Sequence, residues 1–164
     1  MFHDDFWDEE EGADGLEDLI QAYEEIKKGV SSRFLEEEDY EYIIEYFFQN
    51  NKEADALQAC DIAQTYYPYS SALLILQAEI FFQGQKYGQA LHTLDKVDGL
   101  EQNLLESVLL RSDIFLAQYK FDQAAQFLEA KIKEFEGREK TELMLELSDV
   151  YYGCEDYEGG FDVF

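Results

Sequence analysis

The chain has 164 residues and sets 12 Lys+Arg against 38 Asp+Glu, a formal net charge of −26. That balance excludes bulk attraction to nucleic acid or to an anionic membrane surface, and the length excludes two large independent cores. A composition that is 46% hydrophobic and 16% aromatic excludes an acidic disordered coil.

Residues 1–15 carry Asp4, Asp5, Asp8, Glu9, Glu10, Glu11 and Asp14, interrupted by Phe2, Phe6 and Trp7. This segment is expected to be a mobile acidic tail whose aromatics can dock on a partner or on the domain itself. It lacks the basic-then-apolar order of a signal peptide, and no stretch approaches the roughly 20 apolar residues of a membrane span, so a cytoplasmic location is expected. Residues 16–30 form a flanking helix: Leu16, Leu19, Ile20, Tyr23 and Ile26 make one apolar stripe, and Gly29 ends it. Ser31 or Ser32 is placed to cap the next helix, with Glu36, Glu37 and Glu38 in its first turns.

From there the apolar periodicity predicts helices over 34–49 and 53–66, 70–83 and 87–97, 104–117 and 121–135, then 140–153 and 157 onward. The polar turns Asn50–Lys52, Gly84–Lys86, Gln118–Lys120 and Gly153–Asp156 divide each pair. The pairs repeat. Ala56, Ala90 and Ala124 stand 34 residues apart. Phe47, Phe81, Phe115 and Tyr151 recur at intervals of 34, 34 and 36, as do Ile44, Ala78, Ser112 and Ser148, while Tyr87, Phe121 and Tyr157 each precede Ala90, Ala124 and Gly160 by three. Small side chains in one column let two helices of a hairpin approach closely, and an aromatic three residues later fills the adjoining groove.

These columns resemble the tetratricopeptide repeat (TPR) family over Phe34–Phe164. The match is fullest at Leu74, Ala78, Phe81, Gly84, Tyr87, Ala90 and Leu94, and is repeated by Tyr40, Ile43, Ile44, Phe47, Ala56, Cys60, Ala63 and Pro68. The resemblance implies an all-α, right-handed solenoid of stacked antiparallel helix hairpins over residues 31–164, with three full repeats and a truncated fourth. Because the last unit stops some eight residues into its second helix, the chain is expected either to be the amino-terminal portion of a longer repeat protein or to pair through this end.

The resemblance further implies a non-catalytic scaffold whose first helices line a concave groove for a peptide or a partner helix. Carried onto this chain, the groove receives two columns. Glu45, Glu79, Asp113 and Asp149 are acidic in every unit, and Phe48, Phe82, Leu116 and Tyr152 follow three residues later on the same helix face. Tyr42, Ile75, Leu109 and Leu145 are expected to extend the apolar side. The expected ligand is a basic, partly apolar peptide or helix. Family members that hold acidic chaperone tails use basic residues in this groove, and acids stand here instead.

A second reading is self-assembly through Tyr151, Tyr152, Tyr157, Phe161 and Phe164, giving a homo-oligomer. A third, minor one is a carboxylate-based hydrolase using a pair such as Glu79 and Asp113. Tyr66, Tyr67 and Tyr69 around Pro68 form either a recognition knob or packing over a turn. Cys60 reads as a core residue, Cys154 as a turn residue, and His92 as a surface residue. With two His, two Cys and no Gly-rich phosphate loop or calcium loop, no metal site or cofactor is expected.

Overall fold

The computed structural model describes residues 11–30 and 33–162, and their side chains from 15 to 155. Among the described residues there are eight helices and no strand: α1 Glu11–Lys27, α2 Glu37–Gln49, α3 Glu53–Tyr66, α4 Ser71–Gln83, α5 Tyr87–Leu100, α6 Leu105–Ala117, α7 Phe121–Ile132 and α8 Gly137–Asp162. Sequence periodicity places α2 to α7 within a few residues of these bounds. The chain divides into two compact units, Met1–Ile80 and Phe81–Phe164, with the boundary inside α4.

Two differences concern the amino-terminal segment. Helix α1 begins at Glu11, so Glu11–Gly15 are helical and not part of a tail; acids at this end favour the exposed N–H groups of a first turn. Helix α2 begins only at Glu37. Its entry is secured by Asp39, whose Oδ2 accepts the Glu36 N–H at 2.8 Å. Ser31, Ser32 and the aromatics of residues 1–10 lie outside the described residues.

The 34-residue period is physical as well as statistical. Helices α2, α4 and α6 all end in the same pair of backbone bonds: Asn51 N–H to Phe48 O and Lys52 N–H to Phe47 O, Gln85 to Phe82 and Lys86 to Phe81, Tyr119 to Leu116 and Lys120 to Phe115. This is the Schellman closure, and it puts Asn51, Gln85 and Tyr119 in the left-handed region at φ of 58°, 59° and 57°. The following lysine then starts the second helix, its carbonyl accepting from Ala56, Ala90 or Ala124 at 2.9, 3.0 and 3.0 Å. All three alanines are fully buried.

In the first unit, Tyr40, Ile43, Ile44 and Phe47 of α2 pack with Ala56, Ala59, Cys60 and Ala63 of α3 and with Leu73 and Ile80 of α4. Tyr23 of α1 joins them, its ring edge-on to Phe47 at 5.8 Å. In the second, Val108 of α6, Ala124, Ala125 and Leu128 of α7, Phe135, and Leu143 and Val150 of α8 form the core. Polar bonds between consecutive elements keep the period too. Asp61, Asp95 and Glu129, spaced by 34, accept from Gln77 (3.1 Å), Arg111 (3.1 Å) and Tyr151 of the helix that follows.

The fourth unit departs from expectation. Helix α8 runs unbroken through Gly153–Asp156, where a turn is predicted, and Tyr157 and Gly160 continue it without opening a second helix. Three turns close on a left-handed residue followed by lysine. At the equivalent place the chain has Glu155 and Asp156, while its glycine falls one position ahead of the Gly84 register, so neither chain reversal nor lysine start is encoded there.

Candidate functional site

The predicted acidic positions are held on first helices in both units. In the first unit Glu45 is half-buried on α2, one turn after Glu41, itself one turn after Glu37. Burial raises the pKa of Glu41, and the negative charges of Glu37, Glu45 and Glu38 raise it further; burial also raises Glu45. Ser70 donates to Glu37. Glu79 is half-buried on α4.

In the second unit Asp113 of α6 shares a locality with Glu146 and Asp149 of α8. Asp113 is exposed on α6, yet the protein around its carboxyl desolvates it enough to hold it above its ordinary range. Glu146 is raised by burial and by Asp113 and Asp149, and is partly relieved by the Ser112 hydroxyl, which donates to its Oε1 at 3.3 Å. Among the described residues no cation pairs with Glu41, Glu45, Asp113, Glu146 or Asp149. One ion-pair group serves packing: Arg111 bridges Asp95 and Asp98 at 3.1 and 2.8 Å with its own side chain mostly buried.

The predicted apolar column is uneven. Phe48 lies half-buried against the first core and Leu109 and Leu116 against the second, Phe82 tilts on Tyr87 at 6.1 Å, and Leu145 and Tyr152 stand 63% and 68% exposed on α8. Ile75 is 8% exposed and leaves little for a ligand. Tyr42 is half-buried but out of register: 34 residues before Ile75 stands Glu41, while Tyr42 shares its column with Leu76, Leu110 and Glu146. Both carboxylates that the columns overlooked, Glu41 and Glu146, were recoverable from strict alignment and i,i+4 spacing.

The remaining candidates resolve into structure. Tyr66 stacks on Tyr40, Tyr67 meets Tyr40 and Phe34 edge-on and donates to the Leu35 carbonyl at 2.7 Å, and Tyr69 is 83% exposed. Cys60 is fully buried, its thiol pushed up to about 12 by desolvation. Cys154 is half-buried, though within α8 and not in a turn. Among the described residues no group of His, Cys, Asp and Glu is arranged to hold a metal ion, and no helix is long and apolar enough to cross a membrane.

Helix hairpins of this period match known structures. The first TPR of Spaghetti (RPAP3), solved bound to the HSP90 peptide SRMEEVD, superposes with a TM-score of 0.60 at 18% identity, covering 72% of this chain and 94% of that one. The fold is that of tetratricopeptide repeat domains. The first TPR domain of human RPAP3 gives 0.57 at 17% identity over 73% of this chain and 95% of that one. The TPR domain of P58(IPK) gives 0.56 at 21% identity over 76% of this chain and 37% of that one. No protein-family model matches the chain, and no curated protein matches it.

Proposed function

We propose that this TPR-fold chain is a non-catalytic protein-binding scaffold whose first helices receive a basic, partly apolar peptide or helix. The observation that carries this reading is a pair of half-buried carboxylates crowded by like charge, Glu41 in one unit and Glu146 in the other, with Glu45 and Asp113 beside them also raised by desolvation and, among the described residues, no Lys or Arg paired with any of the four. Burial and mutual repulsion make their charge costly, and a ligand Lys or Arg supplies the missing counter-charge. The reading assigns to the same binding role Phe48 and Glu79 in the first unit and Phe82, Leu109, Leu116, Leu145, Asp149 and Tyr152 in the second, as further apolar area and carboxylates. The peptide SRMEEVD held by the first RPAP3 domain is net acidic by its printed sequence and would meet like charge here, so the preference of this chain is the opposite one.

A fluorescein-labelled amphipathic Lys/Leu peptide, followed by anisotropy, tests the reading. Glu45→Lys and Asp113→Lys are each expected to weaken binding about tenfold, roughly 1.4 kcal/mol. Asp122→Lys changes the net charge equally at an exposed α7 position and is expected to weaken it much less. Equal losses for all three would mean that the peptide senses only bulk charge, and the proposed surface would be withdrawn.

A further inference from the structure

The entry to α2 and the turn between α3 and α4 meet in an aromatic cluster whose inner ring is buried and whose outer rings are open. Tyr40, 1% exposed, is the inner ring. Tyr66 stacks on it at 6.1 Å with the planes 18° apart, and Tyr67 stands edge-on to it at 6.1 Å and to Phe34 at 6.5 Å. Tyr67 also donates to the Leu35 carbonyl, which ties the segment before α2 to the turn. Yet Phe34 is 69% exposed and Tyr66 55%, and Tyr69 is 83% exposed in a Pro68 turn that the Ser70 N–H closes on Tyr67 O at 3.3 Å. Four successive acids, Glu36, Glu37, Glu38 and Asp39, follow Leu35 at once. Glu37 reaches the turn itself, accepting from Ser70, and desolvation followed by the charges of Glu36, Glu37 and Asp39 raises the Tyr67 phenol.

We infer that these exposed rings and the carboxylates beside them hold an arginine side chain from a basic segment of a partner protein. An apolar partner surface would cover the rings but would also strip water from the neighbouring acids with nothing to replace it. A guanidinium meets both demands, because its plane lies on an aromatic face while its fork of N–H donors reaches a carboxylate. Lysine matches the charge but not the plane. Of the four acids, Asp39 is committed to the Glu36 N–H and Glu37 to Ser70, while Glu36 and Glu38 are exposed. The arginines of this chain are engaged elsewhere: Arg33 with Asp18 at 3.2 Å, Arg111 with Asp95 and Asp98, and Arg138 with Glu142 at 3.2 Å. Residues 1–10 contain neither Lys nor Arg, and a second copy is disfavoured because each copy brings a net charge of −26. None of Phe34, Tyr66 and Tyr69 belongs to the first-helix surface proposed above, and neither site depends on the other.

The probes are two fluorescein-labelled peptide amides, Arg-Gly-Arg-Gly-Arg and Lys-Gly-Lys-Gly-Lys, titrated against the full chain by anisotropy. Their equal charge makes the bulk attraction of the acidic protein the same for both, so the ratio of their affinities reads the stacking. The arginine peptide is expected to bind about fivefold more tightly. Phe34→Leu and Tyr66→Leu keep the charge and an apolar side chain but remove a ring, and each should bring the ratio down to about twofold or less. Tyr119→Leu removes another largely exposed ring, in the second unit, and should keep the ratio. Phe34 is exposed, so Phe34→Leu should retain the native circular dichroism and carries the test alone if Tyr66→Leu, which also loses the stack on Tyr40, unfolds. The proposal is overturned by no saturable binding of the arginine peptide up to about 1 mM, by equal affinities of the two peptides, by a ratio indifferent to the folded ring variants, or by one that Tyr119→Leu lowers as much. So does a concentration-dependent dimer in sedimentation that Phe34→Leu dissolves overturn it, since a second copy would then be the occupant.

Discussion

Replacing Gln85 by glycine should stabilise the protein, and the size of the gain follows from the three equivalent turns. Gln85 sits at φ +59°, exposed and committed only through its backbone, whose N–H donates to Phe82 O at 2.9 Å. An L side chain in this region costs about 1–2 kcal/mol. Glycine removes that cost but gives the unfolded chain extra freedom worth about 0.5–1 kcal/mol, which leaves a net stabilisation of about 0.5–1 kcal/mol. The other two turns serve as internal controls. Tyr119 has the same φ but holds Phe121 edge-on at 6.4 Å, a contact worth about 0.5–1.5 kcal/mol, so Tyr119→Gly should come out near zero or negative. Asn51 tolerates the left-handed region better than other residues, and Asn51→Gly should gain nothing. Urea unfolding followed by circular dichroism reads all three as midpoint shifts at unchanged slope. A neutral or destabilising Gln85→Gly, or an equal gain at Asn51, would show that the left-handed residue does not govern these closures and would break the equivalence of the three hairpins.

Stability should also rise on mild acidification. Glu41, Glu45, Asp113 and Glu146 all have folded-state pKa values above their ordinary ones, first through burial. The native state therefore binds their protons more tightly than the unfolded state does. The stability tied to this is fully present below the ordinary carboxylate pKa of about 4 and is lost as pH rises through the raised values. The melting temperature should thus increase from pH 7 down to about 5, and Glu41→Gln should flatten the rise; a melting temperature that falls over this interval in the wild type contradicts the burial of these carboxylates. In the core, Tyr40 is 1% exposed and stacks on Tyr66 at 6.1 Å, so Tyr40→Ala should cost about 3–5 kcal/mol in urea unfolding, and a loss under about 1 kcal/mol would mean that the α2 face is not closed by its neighbours.

The period was legible because it is written in residues that have only one structural use. A buried alanine at a helix start and an aromatic before a lysine turn recur because the same backbone closure recurs, and those columns survive in the structure to within a residue. The bounds of α1 and α2 were less legible. Helix starts depend on which side chain reaches a free N–H group, and in a run of four acids at 36–39 several can do so; the geometry selects Asp39. The continuity of α8 is hidden in the sequence for a related reason. Gly153 carries the composition of a turn, but a turn of this kind needs its left-handed residue and its lysine at fixed places, and both are missing.

Binding residues are harder to read than core residues because a carboxylate looks the same in sequence whether water surrounds it or protein does. Among 38 acids, what sets Glu41, Glu45, Asp113 and Glu146 apart is desolvation of the carboxyl with no Lys or Arg paired to it among the described residues, which no column count contains. An ordinary surface acid loses little by staying as it is, since water already stabilises its charge. A half-buried one crowded by others of the same sign is held in an unfavourable state by the surrounding packing, and a cation that enters relieves desolvation and repulsion together. Arg111 shows the alternative within the same chain: where a carboxylate pair serves packing, the sequence supplies the arginine and encloses it. Where no Lys or Arg is paired among the described residues, as at Glu41 and Glu146, the crowded charge is the feature that a basic partner can exploit.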